Sequence, residues 1–371
     1  MHWPISMTPA LQRKHLLVTG IVQGVGFRPW VYRLAHAQSL TGWVRNCGSM
    51  LEIEFEGTIE RIEMAVNQLR HFPPLHASIE RIDLTDLPWN GSNRFEILES
   101  QPASSQYTAV APDLGPCDAC VTELLDPNNR RYTYPWISCV QCGPRYSILQ
   151  SIPYDRVNTS MRWFPMCAAC RTEYDDPNDR RYRAEGIACH ACGPSLRWSL
   201  TTRDEPILAE RPLLQEACQR LEGALRFSAT RSETVSAMVA QFTQAIDRGC
   251  IVAVQGIGGY QLLCDANQPA AVARLRRRKR REVKPFAVMV ASIDDAAGLI
   301  ELSDIGMKRM LSPERPIVVA PKLHRARQQV SSNVSSLDET LGVMLPSSPL
   351  HVLLTRSVQR PLVITSGNAA E

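Results

Sequence analysis

From residue 15 onward, apolar and polar positions alternate with turns in a way that predicts most of the elements. Residues 15–22 are rich in Leu and Val and predict a strand. The turn Gln23-Gly24-Val25-Gly26-Phe27-Arg28-Pro29 follows, and 30–37 carries Val31, Leu34 and Ala35 at helical spacing. Residues 41–46 predict a second strand and Gly48 a turn, while 51–56 alternates apolar and acidic residues as a half-buried strand does. Residues 59–71 read as an amphipathic helix, and 79–87 and 95–98 as late strands. The order β-α-β-β-α-β is a ferredoxin-like arrangement over 15–99, behind a tail at 1–14.

Residues 100–111 are polar and predict a linker. Over 112–197 apolar periodicity gives way to a cysteine repeat. Residues 212–225 and 236–247 read as amphipathic helices around a loop at 226–234, so 198–244 is a helical connector or insertion. In 245–371 an α/β pattern returns: a buried strand at 251–254, a Gly-rich turn at 256–260, a helix over 271–281 and a strand at 286–290. The fold class expected is α+β multidomain: a ferredoxin-like domain, two tandem four-cysteine zinc modules and an α/β domain, which the family resemblance given below implies is partial.

Composition narrows the picture only slightly. With 371 residues, 44% hydrophobic and 21% charged, the chain is an ordinary soluble protein of two to four domains. A net charge of +4 excludes a polycation, so any affinity for phosphate or nucleic acid must come from local clusters. No apolar run approaches a bilayer span, and the first 14 residues lack a signal-peptide pattern. The expectation is a cytoplasmic protein with no membrane partner, where regularly spaced cysteines are metal ligands rather than disulfides.

The cysteines are regularly spaced. Cys117-x-x-Cys120 and Cys139-x-x-Cys142 are separated by eighteen residues, and the pattern returns fifty residues on as Cys167-x-x-Cys170 and Cys189-x-x-Cys192. The flanks repeat as well: Asp126-Pro127-Asn128-Asn129-Arg130-Arg131-Tyr132 echoes Asp176-Pro177-Asn178-Asp179-Arg180-Arg181-Tyr182. This predicts two copies of one module with a gap in the zinc-ribbon range. Four thiolates hold Zn²⁺ with no open position, so both ions are structural. The simplest grouping puts the first four cysteines on one ion and the last four on the other, with an interleaved grouping left open. His190 is read as a surface residue, and Cys47, Cys218, Cys250 and Cys264 as small apolar residues. Arg130, Arg131, Tyr132, Tyr134, Arg180, Arg181 and Tyr182 form either a basic aromatic face for RNA or a packing surface between repeats; packing is favoured.

Two stretches suggest anion chemistry. In the 23–29 turn, glycines let backbone N–H groups turn inward at a helix start, and Arg28 adds a guanidinium. The helix at 271–281 ends in Arg274, Arg276, Arg277, Arg278, Lys279, Arg280 and Arg281, with Lys284 after it. That run is a solvated face, a nucleic-acid contact or a grip on a nucleoside triphosphate.

Val18-x-Gly20-x-Val22-Gln23-Gly24-Val25-Gly26-Phe27-Arg28 with Gly42-x-Val44-x-Asn46 resembles the acylphosphatase family. Gly258-Gly259-Tyr260, Cys264-Asp265-Ala266, Leu275-x-x-Arg278-Lys279-x-Arg281-x-x-Lys284-Pro285-Phe286, Gly342-Val343-Met344-Leu345-Pro346 and Thr365-Ser366-Gly367-Asn368 resemble the YrdC-like carbamoyl-adenylate-forming domain. The whole order resembles the HypF-type carbamoyltransferases of nickel–iron hydrogenase maturation. That resemblance implies hydrolysis of carbamoyl phosphate, formation of carbamoyl-adenylate from carbamate and ATP with Mg²⁺, and transfer to a HypE-type partner. It implies that Arg28 binds phosphate in a cradle of Gln23, Gly24, Val25, Gly26 and Phe27, and that Asn46 orients the attacking water. It implies further that Lys279, Arg281, Lys284, Ser366 and Asn368 contact nucleotide or carbamate.

The chain departs from the family pattern in places. Cys47-Gly48-Ser49-Met50 replaces an acidic, glycine-containing turn, and Gln255, Gln261 and Ser347 replace a Lys, a His and a Tyr. Arg183-Ala184-Glu185-Gly186 stands for His-Ala-Gln-Pro, and 211–233 is longer than usual. Ending at Glu371, the chain is expected to lack the last YrdC-like strands and the transferase domain. Loss of a cation and an aromatic predicts weaker ATP binding. The alternatives are a diverged paralogue acting only as an acylphosphatase, or a non-catalytic zinc protein binding RNA or a partner. Zinc removal is expected to disturb the middle of the chain before it touches phosphate release at Arg28.

Overall fold

The structure, a computed structural model, describes residues 10–101, 110–198, 234–335 and 339–368. The helix predicted at 212–225, most of the loop at 226–234 and Cys218 lie outside these residues. The chain divides into two compact units, Met1–Pro194 with Ser347–Pro349, and Ser195–Pro346 with Leu350–Glu371. The ferredoxin-like stretch and the cysteine repeats, read from sequence as successive domains, therefore belong to one unit.

In the first unit β1 (Leu11–Ile21), α1 (Phe27–Ala37), β2 (Thr41–Cys47), β3 (Met50–Thr58), α2 (Ile59–His71), β4 (Ser78–Leu87) and β5 (Phe95–Ile97) follow in the predicted order. They form a five-stranded sheet, β4-β1-β3-β2-β5, antiparallel except where β2 meets β5. Leu16, Val18, Val44, Leu51, Ile53 and Phe55 form the core with Val31 and Leu34 of α1 and Ile62 and Leu69 of α2. These helical positions recur at the three- and four-residue spacing that puts one stripe against a sheet.

β3 is not half-buried as its alternation predicted. It lies between β1 and β2, and its acidic side chains Glu54 and Glu56 are buried as well. Arg13 covers them, at 2.5 Å from Glu54 and 3.5 Å from Glu56, and the Ser92 amide donates to Glu56 at 2.8 Å. A central strand is thus sealed on both faces, with ion pairs supplying one of them.

Each cysteine repeat opens on a short helix, α3 (Asp118–Leu125) and α4 (Ala168–Asp175), with Cys117 and Cys167 as the residues just before them. The Asp-Pro turns then repeat bond for bond: Asp126 accepts from the Asn128 amide and Asp176 from the Asn178 amide, both at 2.9 Å. Spacing alone suggested a zinc ribbon, but these modules are helix–turn knuckles, with Cys139 and Cys142 joined only by an isolated bridge. The ligand spacing constrains the ion's cage, not the backbone between the pairs.

The second unit is a six-stranded sheet, β6-β7-β11-β8-β10-β9, built from β6 (Val252–Gly256), β7 (Gly259–Asp265), β8 (Ala287–Met289), β9 (Val318–Pro321), β10 (Thr340–Met344) and β11 (Leu362–Ser366). Only β8 and β10 run parallel. Leu263, Met289, Leu362 and Ile364 pack against Phe242 and Ile246 of α5 (Val235–Asp247). Val288, Val343 and Val363 pack toward Val272 and Leu275 of the arginine-rich α6 (Pro269–Lys279). β6, expected to be a buried strand, is an edge strand on which only Val254 is buried. The Gly-rich turn after it is a two-residue hairpin that pairs Gly256 with Gly259. Cys264 is buried as expected, but Cys250 is exposed and Cys47 only half-buried.

Candidate active site and metal centres

The two four-cysteine groups assemble as the simplest grouping predicted. Cys117, Cys120, Cys139 and Cys142 bring their sulfurs within 4.8 Å of one another, and so do Cys167, Cys170, Cys189 and Cys192. Neighbouring sulfurs lie 3.4–3.8 Å apart in the first group and 3.6–3.9 Å in the second. A tetrahedron with Zn–S bonds of about 2.3 Å has edges of about 3.8 Å, so the donor set fits zinc. His190 is exposed, lies 2.8 Å from the Tyr132 carbonyl and is outside both groups.

The paired arginines of each repeat reach into the other. Arg180 donates to the Cys120 sulfur at 3.3 Å and pairs with Glu123 at 2.6 Å; Arg130 donates to the Cys170 sulfur at 3.2 Å and pairs with Glu173 at 2.8 Å. Arg181 and Arg131, both buried, donate to the carbonyls of Ser138 and Ala188 at 3.0 and 2.9 Å. Arg131, Arg181, Tyr134 and Tyr182 are buried and the Arg130 and Arg180 side chains half-buried, so most of the basic aromatic stripe packs the repeats together, while Tyr132 is exposed.

The predicted phosphate loop adopts the geometry its glycines required. Gly24 and Gly26 sit at φ +72° and +73°, and Gly26 precedes α1, so Arg28 stands in the first helical turn. Among the described residues, no hydrogen bond from the loop amides of 24–28 is found. Arg28, Asn46, Gln23, Gly24, Gly26 and Phe27 line one small cleft, and Asn46 is buried in it. Val25 packs instead into the core.

The opposite wall of the cleft comes from the cysteine repeats and the segment joining them, which sequence reasoning missed. Val140, Arg145, Tyr154, Arg183 and Glu185 line it. The Gln23 amide is taken up structurally: it donates to the Gly48 and Met50 carbonyls at 2.9 and 3.0 Å and accepts from the Tyr154 amide at 2.9 Å. Arg145 is buried and donates to five carbonyls: those of Cys139, Val140, Cys142 and Pro144 around the first knuckle, at 2.9–3.1 Å, and that of Gly24 in the loop. A Cβ on Gly24 would meet the Arg145 side chain at 3.1 Å, and one on Gly26 would meet Val140 at 3.2 Å.

Arg28 is paired at both ends of its guanidinium. Nη1 lies 2.8 Å from Asp155 and donates to the Ser100 hydroxyl at 3.2 Å, while Nη2 lies 2.9 Å from Glu185. Burial opposes the charge on Arg28, but Glu185 and then Asp155 more than offset this, and its pKa is raised. Burial pushes the Glu185 carboxyl above its ordinary range, with Arg28 pulling the other way. No spacing rule signalled this pairing: Glu185 is 157 residues from Arg28. The only trace was the unusual Arg183-Ala184-Glu185-Gly186 stretch.

In the second unit, the side chains of two predicted nucleotide residues, Lys279 and Arg281, reach the backbone of the other three. Lys279, at the end of α6, donates to the carbonyls of Ser366, at 3.0 Å, and Asn368. Arg281 reaches the Thr365 hydroxyl at 3.3 Å and the Lys284 carbonyl at 3.1 Å. Burial, then the nearby Arg281 charge, lowers the Lys279 pKa. Ser366, Asn368 and Lys284 join through their backbone carbonyls, and all three residues are exposed.

A glycine-turn cleft on a ferredoxin-like sheet, a pair of four-cysteine knuckles and an α/β unit with clustered cations define a multidomain acylphosphatase–finger–YrdC-like class of protein. Three family models match in the same order: acylphosphatase over 14–97, the HypF finger over 117–149 and 166–199, and the Sua5/YciO/YrdC model described as telomere recombination over 244–371. The chain belongs to the HypF family, of which it carries these three regions. It is 43% identical over 351 residues to carbamoyltransferase HypF2 of Cupriavidus necator, covering 93% of this chain and 40% of that protein. It is 40% identical over 354 residues to carbamoyltransferase HypF of Synechocystis, covering 95% and 42%. A crystal structure of full-length HypF in the phosphate- and nucleotide-bound form superposes with a TM-score of 0.85 at 37% identity, over 99% of this chain and 44% of that one. The chain thus spans less than half the length of the relatives it matches. Among the described residues, no helix is long and apolar enough to cross a membrane.

Proposed function

We propose that the chain hydrolyses carbamoyl phosphate in the cleft of the first unit. Arg28 and the loop amides of Gly24 to Phe27 bind the phosphoryl group, and Asn46 orients the attacking water. The water oxygen bonds to phosphorus as the bridging P–O bond breaks, leaving phosphate and carbamate. An acyl phosphate is already activated, so a cradle that spreads charge and a positioned water supply most of the catalysis. The observation that carries this reading is the convergence of Arg28, Asn46 and the glycine turn on one cleft within the acylphosphatase match. Phosphate release from carbamoyl phosphate is expected from the purified chain and lost in Arg28→Ala; equal release by both proteins rejects the assignment.

The second half of the proposal is that Lys279, Arg281, Lys284, Ser366 and Asn368 serve carbamate and ATP, with Mg²⁺, in forming carbamoyl-adenylate. ATP contributes AMP to the carbamate oxygen and releases pyrophosphate. A HypE-type maturation protein then receives the carbamoyl group, through a transfer region of the kind expected from the family pattern. The supporting observation is that Lys279 and Arg281 meet 365–368 at the end of β11. Pyrophosphate release that depends on both ATP and carbamoyl phosphate tests it, and no such release would reject adenylation by this chain. A cytoplasmic location belongs to the same proposal.

A further inference from the structure

We propose that Glu185, with Asp155 beside it, competes internally with the phosphoryl group for Arg28 and so sets how tightly the cleft binds phosphate. The inference rests on the phosphate-binding role proposed for Arg28. It starts from charge: one guanidinium stands against two carboxylates, at 2.8 and 2.9 Å, in a cleft where all three side chains are largely withdrawn from water. An arriving phosphate dianion meets a guanidinium whose two Nη atoms are both already donating.

Glu185 cannot simply move aside. Its second oxygen accepts from the Tyr174 hydroxyl and from the Arg156 amide, each at 3.0 Å, so it is held without Arg28. Its side chain is 3% exposed, against 21% for Asp155. Asp155 is the partner that can turn toward water when an anion binds; Glu185 remains and repels it. Like charges at this range interact strongly where water is excluded. Glu185 acts through Arg28, which it holds at 2.9 Å, so it is a positioning residue. Its charge acts equally on bound substrate and bound phosphate, which predicts a change in affinity rather than in the chemical step.

Glu185→Gln keeps the shape and removes the charge. Calorimetric titration with inorganic phosphate is expected to show binding about tenfold tighter in Glu185→Gln, and severalfold tighter in Asp155→Asn, than in the parent chain. With carbamoyl phosphate, KM and the inhibition constant for phosphate should fall together while kcat does not rise. Arg28→Ala should lose phosphate binding, which tests the reading of the cleft separately. Thermal unfolding establishes that each variant folds, and Asp155→Asn, at the more exposed partner, carries the test if Glu185→Gln does not. If Arg28→Ala loses binding yet neither carboxylate variant binds phosphate more tightly, the competition is overturned and the carboxylates merely orient Arg28. If no protein binds phosphate, the reading of the cleft fails and the inference falls with it.

Discussion

Arg145→Met tests whether the first knuckle builds the phosphate loop. The substitution keeps most of the apolar stem and removes a guanidinium shared among five carbonyls. Two of those bonds, to Cys139 and Cys142, are buried. Leaving the buried Cys142 carbonyl unpaired costs about 1–3 kcal/mol, and the Cys139 carbonyl keeps only the Cys142 amide at 3.4 Å, so about 3 kcal/mol for the pair is the reasonable figure. That is about two orders of magnitude in a local opening equilibrium. The opening involves the Gly24 turn on one side and the Cys139–Cys142 knuckle on the other, so two readouts should move together. Phosphate binding and carbamoyl phosphate turnover should drop about a hundredfold, and transfer of the first ion to a chromophoric chelator should quicken. Arg145→Lys keeps a cation but fewer donors and should fall between. Peptide mapping of alkylated cysteines after brief chelation shows whether Cys117, Cys120, Cys139 and Cys142 become reactive first. Turnover within twofold of the parent chain, with unchanged metal release, would refute the coupling.

Further outcomes follow from the same contacts. Chelation should abolish phosphate release along with the structure of the repeats, contrary to the expectation that the Arg28 site would outlast the metal, because Arg145, Tyr154 and Glu185 form its wall; activity surviving in metal-free protein rejects this. Arg181→Met, though it lies in the second repeat, should loosen the first ion, since Arg181 bonds Glu123 and the Ser138 carbonyl; alkylation confined to the second cysteine group would contradict it. Gly24→Ala should cost about 1–2 kcal/mol from its left-handed backbone and weaken phosphate binding measurably by titration. In the second unit, burial lowers the His351 pKa from 6.5 to about 4. The unfolded chain therefore binds the proton first as pH falls, so stability is full above pH 6.5 and declines toward pH 4, by at most about 3 kcal/mol. His351→Gln should flatten that part of an acid-unfolding curve.

Much of this protein was legible along the chain. The glycine turn, Arg28 and Asn46 lie within one short segment whose backbone conformation is local, because left-handed glycines and a helix start are set by neighbouring residues. The cysteine pairs announced two four-thiolate groups, because four soft ligands at fixed spacing suit a metal ion. Lys279, Arg281 and Thr365-Ser366-Gly367-Asn368 stood out as motifs, and the fold brought the Lys279 and Arg281 side chains to the Ser366 and Asn368 carbonyls and the Thr365 hydroxyl.

Tertiary structure decided what these motifs do to one another. Glu185 faces Arg28 from 157 residues away, and Arg145 reaches Gly24 from 121. Neither contact has a period or a spacing; each exists because a buried charge must find partners wherever the packed chain supplies them. The paired arginines of the repeats read from sequence as a packing surface in preference to an RNA face, and the structure places each pair on the other repeat's cysteine and glutamate. Burial of Glu54 and Glu56 likewise depended on β3 lying between two strands, with Arg13 above them. Local sequence determined the turn, the ligands and the strands. Only the assembled unit decided that a four-cysteine knuckle is a wall of the Arg28 cleft, because hydrogen bonds and ion pairs between distant segments form only once both are withdrawn from water.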